Sequence, residues 1–169
     1  GADAGNYSLA SNTATGTGDI AKAAITGVSG FAAGTRVYDA TTTATVSNAG
    51  ATFAGMVNGD SLNVSATSAN FIDKNAGSGK VVNASGMTLG GTDAGNYNLT
   101  AITGTGTGTI TQALITGVAG IAAAGKTYDA TDTATVSNAG ATFAGMVNGD
   151  VLNVSATSAN FIDKNAGSG

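Results

Sequence analysis

Residues 38–79 are written twice. The run YDATTTATVSNAGATFAGMVNGDSLNVSATSANFIDKNAGSG returns at residues 128–169 with two changes, Thr42 to Asp132 and Ser61 to Val151. The same offset of 90 carries GADAGNYSL at residues 1–9 onto GTDAGNYNL at residues 91–99, and no insertion or deletion breaks the register. Such a chain is a stretch of tandem array. Stacked solenoid repeats have periods of ~20–50 residues, so a longer unit is expected to bury a core of its own. The expected division is residues 1–25 as the closing strands of one repeat, residues 26–115 as a complete repeat, and residues 116–169 as the opening part of the next. Because residue 169 corresponds to residue 79, two arrangements are open. The chain is a window on a longer polymer, or its end fragments complete each other between molecules by strand complementation.

What each unit folds into follows from the residues the repeat uses and those it omits. There are 27 Gly and no Pro, Cys, His or Trp, every one of the 10 acidic residues is Asp, and 9% of residues are charged. Strong helix formers are scarce, whereas Thr and Val, which suit a pleated surface, are plentiful. Residues 43–47 alternate, with Ala44 and Val46 inward. Leu62, Val64 and Ala66 alternate against Asn63, Ser65 and Thr67, the period of a strand with one dry face. Residues 52–57 and 61–67 flank Asn58-Gly59, a hairpin signal of the type I′ kind. Further strands are expected at 7–10, 19–26, 70–72, 80–84, 97–102 and 109–115, with residues 103–108 (TGTGTG) as a flexible loop feeding the last. Seven or eight short strands with regular turn signals predict an immunoglobulin-like β-sandwich. A β-grasp unit is the alternative, though no window shows an apolar stripe at helical period. Asp93, Gly95, Tyr97 and Leu99 have the spacing of a tyrosine corner, in which a buried ring sends its hydroxyl to upstream backbone.

With YDAT at residues 38–41 and 128–131, GD at Gly59-Asp60, FIDKNAGSGK at residues 71–80 and GTDAGNYNL at residues 91–99, the chain resembles the YDG repeat family. That family occurs in tandem in large bacterial surface proteins, including filamentous-haemagglutinin-like adhesins. All four blocks stand in family order and cover essentially the whole chain. The resemblance implies a structural stalk or adhesive repeat at the bacterial surface. Its signature positions here are Tyr38, Asp39, Asn58, Gly59, Asp60, Asp93, Gly95, Tyr97, Tyr128 and Asp129. Ala40 and Ala130 stand where the family usually has Gly, which argues against a positive φ at that position.

The same inventory limits the chemistry. Without His, Cys or Glu the usual acid–base and nucleophilic pairs are missing, so no enzyme activity is expected. A net charge of −4 does not suit nucleic acid, and no apolar run is long enough for membrane insertion by a helix. Tyr38-Asp39 and Tyr128-Asp129 read as core tyrosines followed by turn-capping aspartates, and Asp73-Lys74-Asn75 as a solvated turn. No cofactor is expected. Calcium is the candidate that Asp and Asn side chains leave open, although they are scattered singly. The expected role is that of a bacterial extracellular adhesin or surface-fibre repeat, with neighbouring repeats or identical chains as partners and a host or matrix surface beyond them. The alternatives are a calcium- or glycan-binding surface module and a self-assembling filament subunit.

Overall fold

The computed structural model describes residues 1–11 and 13–167. Asn12, Ser168 and Gly169, the last two in the expected opening part of the next repeat, lie outside the described residues. The complete repeat, expected at residues 26–115, also takes in β1 (Ala23–Ile25) from just before that boundary, because β1 pairs with β9 and Ile25 joins the core. It then contains β2 (Gly27–Val37), β3 (Val46–Ser47), β4 (Thr52–Ala54), β5 (Asn63–Ser65), β6 (Ser68–Phe71), β7 (Gly77–Ser85), β8 (Thr88–Gly90), β9 (Tyr97–Leu99) and β10 (Thr103–Thr111). The next repeat contributes β11 (Gly117–Ala119), β12 (Ala122–Ala123), β13 (Val136–Ser137) and β14 (Thr142–Ala144). The chain is all-β. Its helical residues, among those described, form two short 3-10 turns, Ala4–Asn6 and Ala94–Asn96, so the β-grasp alternative lacks its helix.

The longest strand organises the unit. β2 carries β4 and then β3 along one edge, both antiparallel, and runs parallel to β10 on the other. β10 pairs antiparallel with β7, and β7 with β6, which completes a curled six-stranded sheet. Two shorter pairs stand apart from it: β1 with β9, parallel, and β5 with β8, antiparallel. The buried apolar side chains, from Ile25 and Phe31 through Val64, Phe71 and Val82 to Tyr97 and Ile110, all belong to this one repeat. Leu62, Val64 and Ala66 face this core while Asn63, Ser65 and Thr67 are exposed, as their alternation predicts.

The TGTGTG run is not a loop. It is most of β10, the strand between β2 and β7 at the centre of the sheet. Its threonines Thr103, Thr105 and Thr107 are exposed, while Gly104 is buried. A Cβ on Gly104 would enter the Phe31 ring and come within 3.0 Å of Met87 Sδ. One on Gly106 would overlap the Phe31 carbonyl, and one on Gly108 would enter the Ala33 methyl. The glycines are therefore the floor on which Phe31, 2% exposed, is packed. Burying such a ring is worth ~1.5–3 kcal/mol, which offsets much of the entropic cost of glycine in a strand. β10 ends at Thr111, short of the strand expected through residue 115.

Asn58-Gly59 forms a turn but not a hairpin. The Asp60 N–H donates to the Val57 carbonyl at 3.3 Å, with Gly59 at φ 99°. Asn58 keeps a negative φ, so the turn is not type I′. The flanking strands separate: β4 pairs with β2, and β5 with β8. The chain thus arches from one sheet to another, and the turn does not have to match the twist of a strand pair.

The fragment before β1 departs from its counterpart. The expected strand at residues 7–10 is absent, and of the segment at 19–26 only Ala23–Ile25 is a strand. Ile20 is fully exposed where its counterpart Ile110 is 1% exposed, and Tyr7 is 81% exposed where Tyr97 is 4%. In the complete repeat, β9 and β10 close onto β1 and β2 from the start of the same unit. Among the described residues, no strands occupy the corresponding places beside residues 7–9 and 13–21. At the other end, β11–β14 and β12–β13 reproduce the β2–β4 and β2–β3 pairings. There Val118 is 44% exposed where Val28 is 4%, because no counterparts of β9 and β10 cover it among the described residues.

Candidate functional site

The signature positions of the complete repeat gather in two places, and Tyr128 and Asp129 repeat the second of them in the next copy. The first is a clasp across the arch. Tyr97 opens β9 directly after the 3-10 turn that contains Gly95, and its ring is buried in the core. Its hydroxyl accepts the Val57 N–H at 2.9 Å and donates to Asp60 Oδ2 at 2.5 Å. Asp93 Oδ2 accepts the Ser61 N–H at 2.8 Å. The DAGNY segment therefore grips both sides of Asn58-Gly59. This resembles the expected tyrosine corner in burial and in bonding upstream backbone, but the backbone lies 40 positions away across the arch. The Asp60 carboxylate beside it, with burial second, raises the Tyr97 phenol above its ordinary pKa.

The second place is the turn after β2. Asp39 Oδ1 accepts both the N–H and the hydroxyl of Thr41 at 2.8 Å, as a turn-capping aspartate should. The intervening Ala40 has φ 64°, and Ala130 repeats it at 64°. The expectation of a negative φ was wrong: the side-chain bonds of Asp39 hold a left-handed turn even with a Cβ present. Arg36 completes the turn. Its Nη2 donates to Asp39 and, at 2.8 Å, to the Thr41 carbonyl, its Nη1 donates to the Thr43 carbonyl, and the guanidinium lies 5.9 Å from the Phe71 ring centroid. Its Nε is buried without a partner among the described residues. Asp39 is held below the ordinary carboxylate range, first by the Thr41 N–H. In the second copy Lys126 takes the place of Arg36, 2.8 Å from Asp129, and lowers Asp129 to about 2.

The neighbouring FIDKNAGSGK segment is tied to itself. Asp73 Oδ1 accepts the Asn75 N–H at 2.8 Å and the Lys80 ammonium at 2.7 Å, and the Lys80 contact is the first cause of its lowered pKa. Lys74 points elsewhere, towards Tyr38 and Asp150. The Tyr38 hydroxyl beside it, then the Asp150 carboxylate, holds its ammonium above the ordinary value. Asp150 was not singled out in the sequence, and the signal that could have found it is the repeat itself, because it is the counterpart of Asp60. Arg36 was legible in the same way, as the basic residue two places before Tyr-Asp in both copies. Among the described residues no three acidic side chains gather where they could hold a metal ion.

A family model described as the YDG domain matches residues 21–104 and again residues 111–169. The comparison with curated proteins and the comparison with solved structures each found no match. The two matched segments take in most of the sequence and contain the clasp and both Tyr-Asp turns, so the chain belongs to the YDG domain family.

Proposed function

We propose that the chain is a structural repeat segment of a bacterial extracellular adhesin or surface fibre, serving as stalk or filament building block. The observation that carries this reading is where the signature side chains spend their hydrogen bonds. Tyr97, Asp60 and Asp93 clamp the arch of their own repeat, and Asp39 and Asp129 bond turn backbone. A module that recognised a ligand with these groups would turn them towards a common opening. The unit is read as an immunoglobulin-like sandwich in which the β5–β8 and β1–β9 pairs lie across the core from the six-stranded sheet. Near-identical copies then give an array of uniform geometry, and the low-charge Thr, Ser and Asn surface suits a solvated stalk.

Antibody against residues 26–115 tests the surface location. It should label intact, unpermeabilised source cells, and protease added outside should remove the epitope. Labelling that appears only after permeabilisation would refute the reading.

A further inference from the structure

The tyrosine of the Tyr-Asp pair has different surroundings in the two copies. Tyr38 is partly buried, and its hydroxyl donates to Asp150 Oδ1 at 2.9 Å, across 112 positions and into the next repeat. The Lys74 ammonium lies 5.9 Å from the Tyr38 ring centroid and 3.7 Å from the same Asp150 oxygen. Tyr128 has the same Tyr-Asp-Ala-Thr sequence around it, yet it is 59% exposed and its hydroxyl makes no hydrogen bond among the described residues. Local sequence cannot account for the contrast. Tyr38 has two neighbours that Tyr128 lacks among the described residues: β10 of its own repeat, whose Thr111 carbonyl accepts the Tyr38 N–H at 2.9 Å, and the Asn-Gly-Asp turn of a following repeat, which alone receives the hydroxyl.

Asp150 is the counterpart of Asp60, and the two copies use the carboxylate differently. Asp60 accepts the Tyr97 hydroxyl of its own repeat through Oδ2, and its Oδ1 has no hydrogen-bond partner among the described residues. Asp150 accepts the Tyr38 hydroxyl of the preceding repeat through Oδ1, and its Oδ2 has none. The two uses do not compete, because a carboxylate has two oxygens and about four acceptor sites. Hydrogen bonds to an ionised acceptor are also the stronger kind.

We propose that the Asn-Gly-Asp turn of each repeat is the socket of an inter-repeat joint. Its carboxylate is shared between the DAGNY tyrosine of its own repeat and the Tyr-Asp tyrosine of the repeat before it, with the lysine of the preceding Asp-Lys-Asn turn as counter-ion. The surface formed by Tyr128 and Lys164 accordingly takes the Asn-Gly-Asp turn of a following copy of this repeat. A direct hydrogen bond fixes the point of contact, and the lysine, solvent-screened and weaker, biases its direction. The joint depends on the tandem arrangement and not on where in the cell the array stands.

Two spin labels measure it. The chain has no cysteine, so Thr105→Cys on β10 and Ala139→Cys in the next repeat, both exposed, can be labelled and their distance distribution recorded. The parent should give a narrow distribution, and Tyr38→Phe with Lys74→Ala should broaden it. Tyr128→Phe with Lys164→Ala makes the same substitutions at the counterpart positions that do not touch Asp150, and should leave the width unchanged. Asp150→Ala breaks the contact from the other side, should broaden the distribution equally, and serves if the double variant does not fold. An unchanged width in both Tyr38→Phe/Lys74→Ala and Asp150→Ala overturns the joint. So does a broad parent distribution that stays broad when the chain is extended by a copy of residues 80–111, which closes the second repeat. Neither result bears on the surface labelling of intact cells.

Discussion

Replacing Ala40 by glycine should stabilise the repeat, although glycine usually weakens one. Ala40 has φ 64°, in the left-handed region, where a Cβ costs ~1–2 kcal/mol. The turn is held there from both sides, by Asp39 Oδ1 on the Thr41 N–H and hydroxyl and by Arg36 on the Thr41 carbonyl. None of those bonds uses an Ala40 side-chain atom, so glycine keeps them all and removes the steric conflict. Against that gain, glycine adds ~0.4–1 kcal/mol of conformational freedom to the unfolded chain. The balance favours Ala40→Gly by about 0.5–1 kcal/mol. In a domain of this size that is a rise in melting temperature of roughly 2–8 °C. Urea unfolding with an unchanged slope would measure it, since a shift in midpoint alone reports stability. Ala32→Gly, at an exposed position in β2, is the control and should cost ~0.5–1 kcal/mol. If Ala40→Gly lowers the midpoint as Ala32→Gly does, the left-handed backbone is not a source of strain and the reasoning is refuted. Ala130→Gly addresses the same φ in the second copy.

The opposite substitution on β10 should be severe. Gly106→Ala drives a Cβ into the Phe31 carbonyl and should cost about 3 kcal/mol, the upper part of the overpacking range; an equilibrium loss below about 1 kcal/mol would show that β10 can move aside. Acid should destabilise the protein. Asp39, Asp73 and Asp129 have folded pKa values below the unfolded value, so their contribution is present above that value and is lost as pH falls through the folded one. The urea midpoint should therefore drop between pH 3.8 and about 2, and a midpoint that holds or rises there would contradict the assigned contacts. Alkali acts on Tyr97 with the opposite sign. Its folded pKa is raised above 10.0, so its contribution is complete below pH 10.0 and is lost as pH rises through the folded value. Tyr97→Phe should remove that alkaline component, and an identical alkaline profile in the variant would break the link to the Tyr97–Asp60 bond.

Some of this was legible from the residues. Leu62, Val64 and Ala66 announced a strand with one dry face, because alternation is a local property and the pleat turns it directly into two faces. Asp39 and Asp73 announced turn caps, since a short carboxylate reaches backbone two residues on without help from the rest of the fold. Ala40 misled because its type was weighed alone. The bonds that hold it left-handed belong to its neighbours Asp39 and Thr41 and to Arg36.

What the sequence by itself determined is the repeat, its register and its all-β character. These rest on identity at a fixed offset and on residue types that suit strands and not helices. Tertiary structure alone decided the rest. TGTGTG is a central strand because Phe31, far upstream, needs a surface without side chains to lie on. Asn58-Gly59 is an arch because its two strands find partners in different sheets. Tyr7 and Ile20 stay exposed while Tyr97 and Ile110 are buried, because only the second pair meets its partner strands. Identical residues, in short, take different environments according to what is packed against them, and that is information a local pattern does not contain.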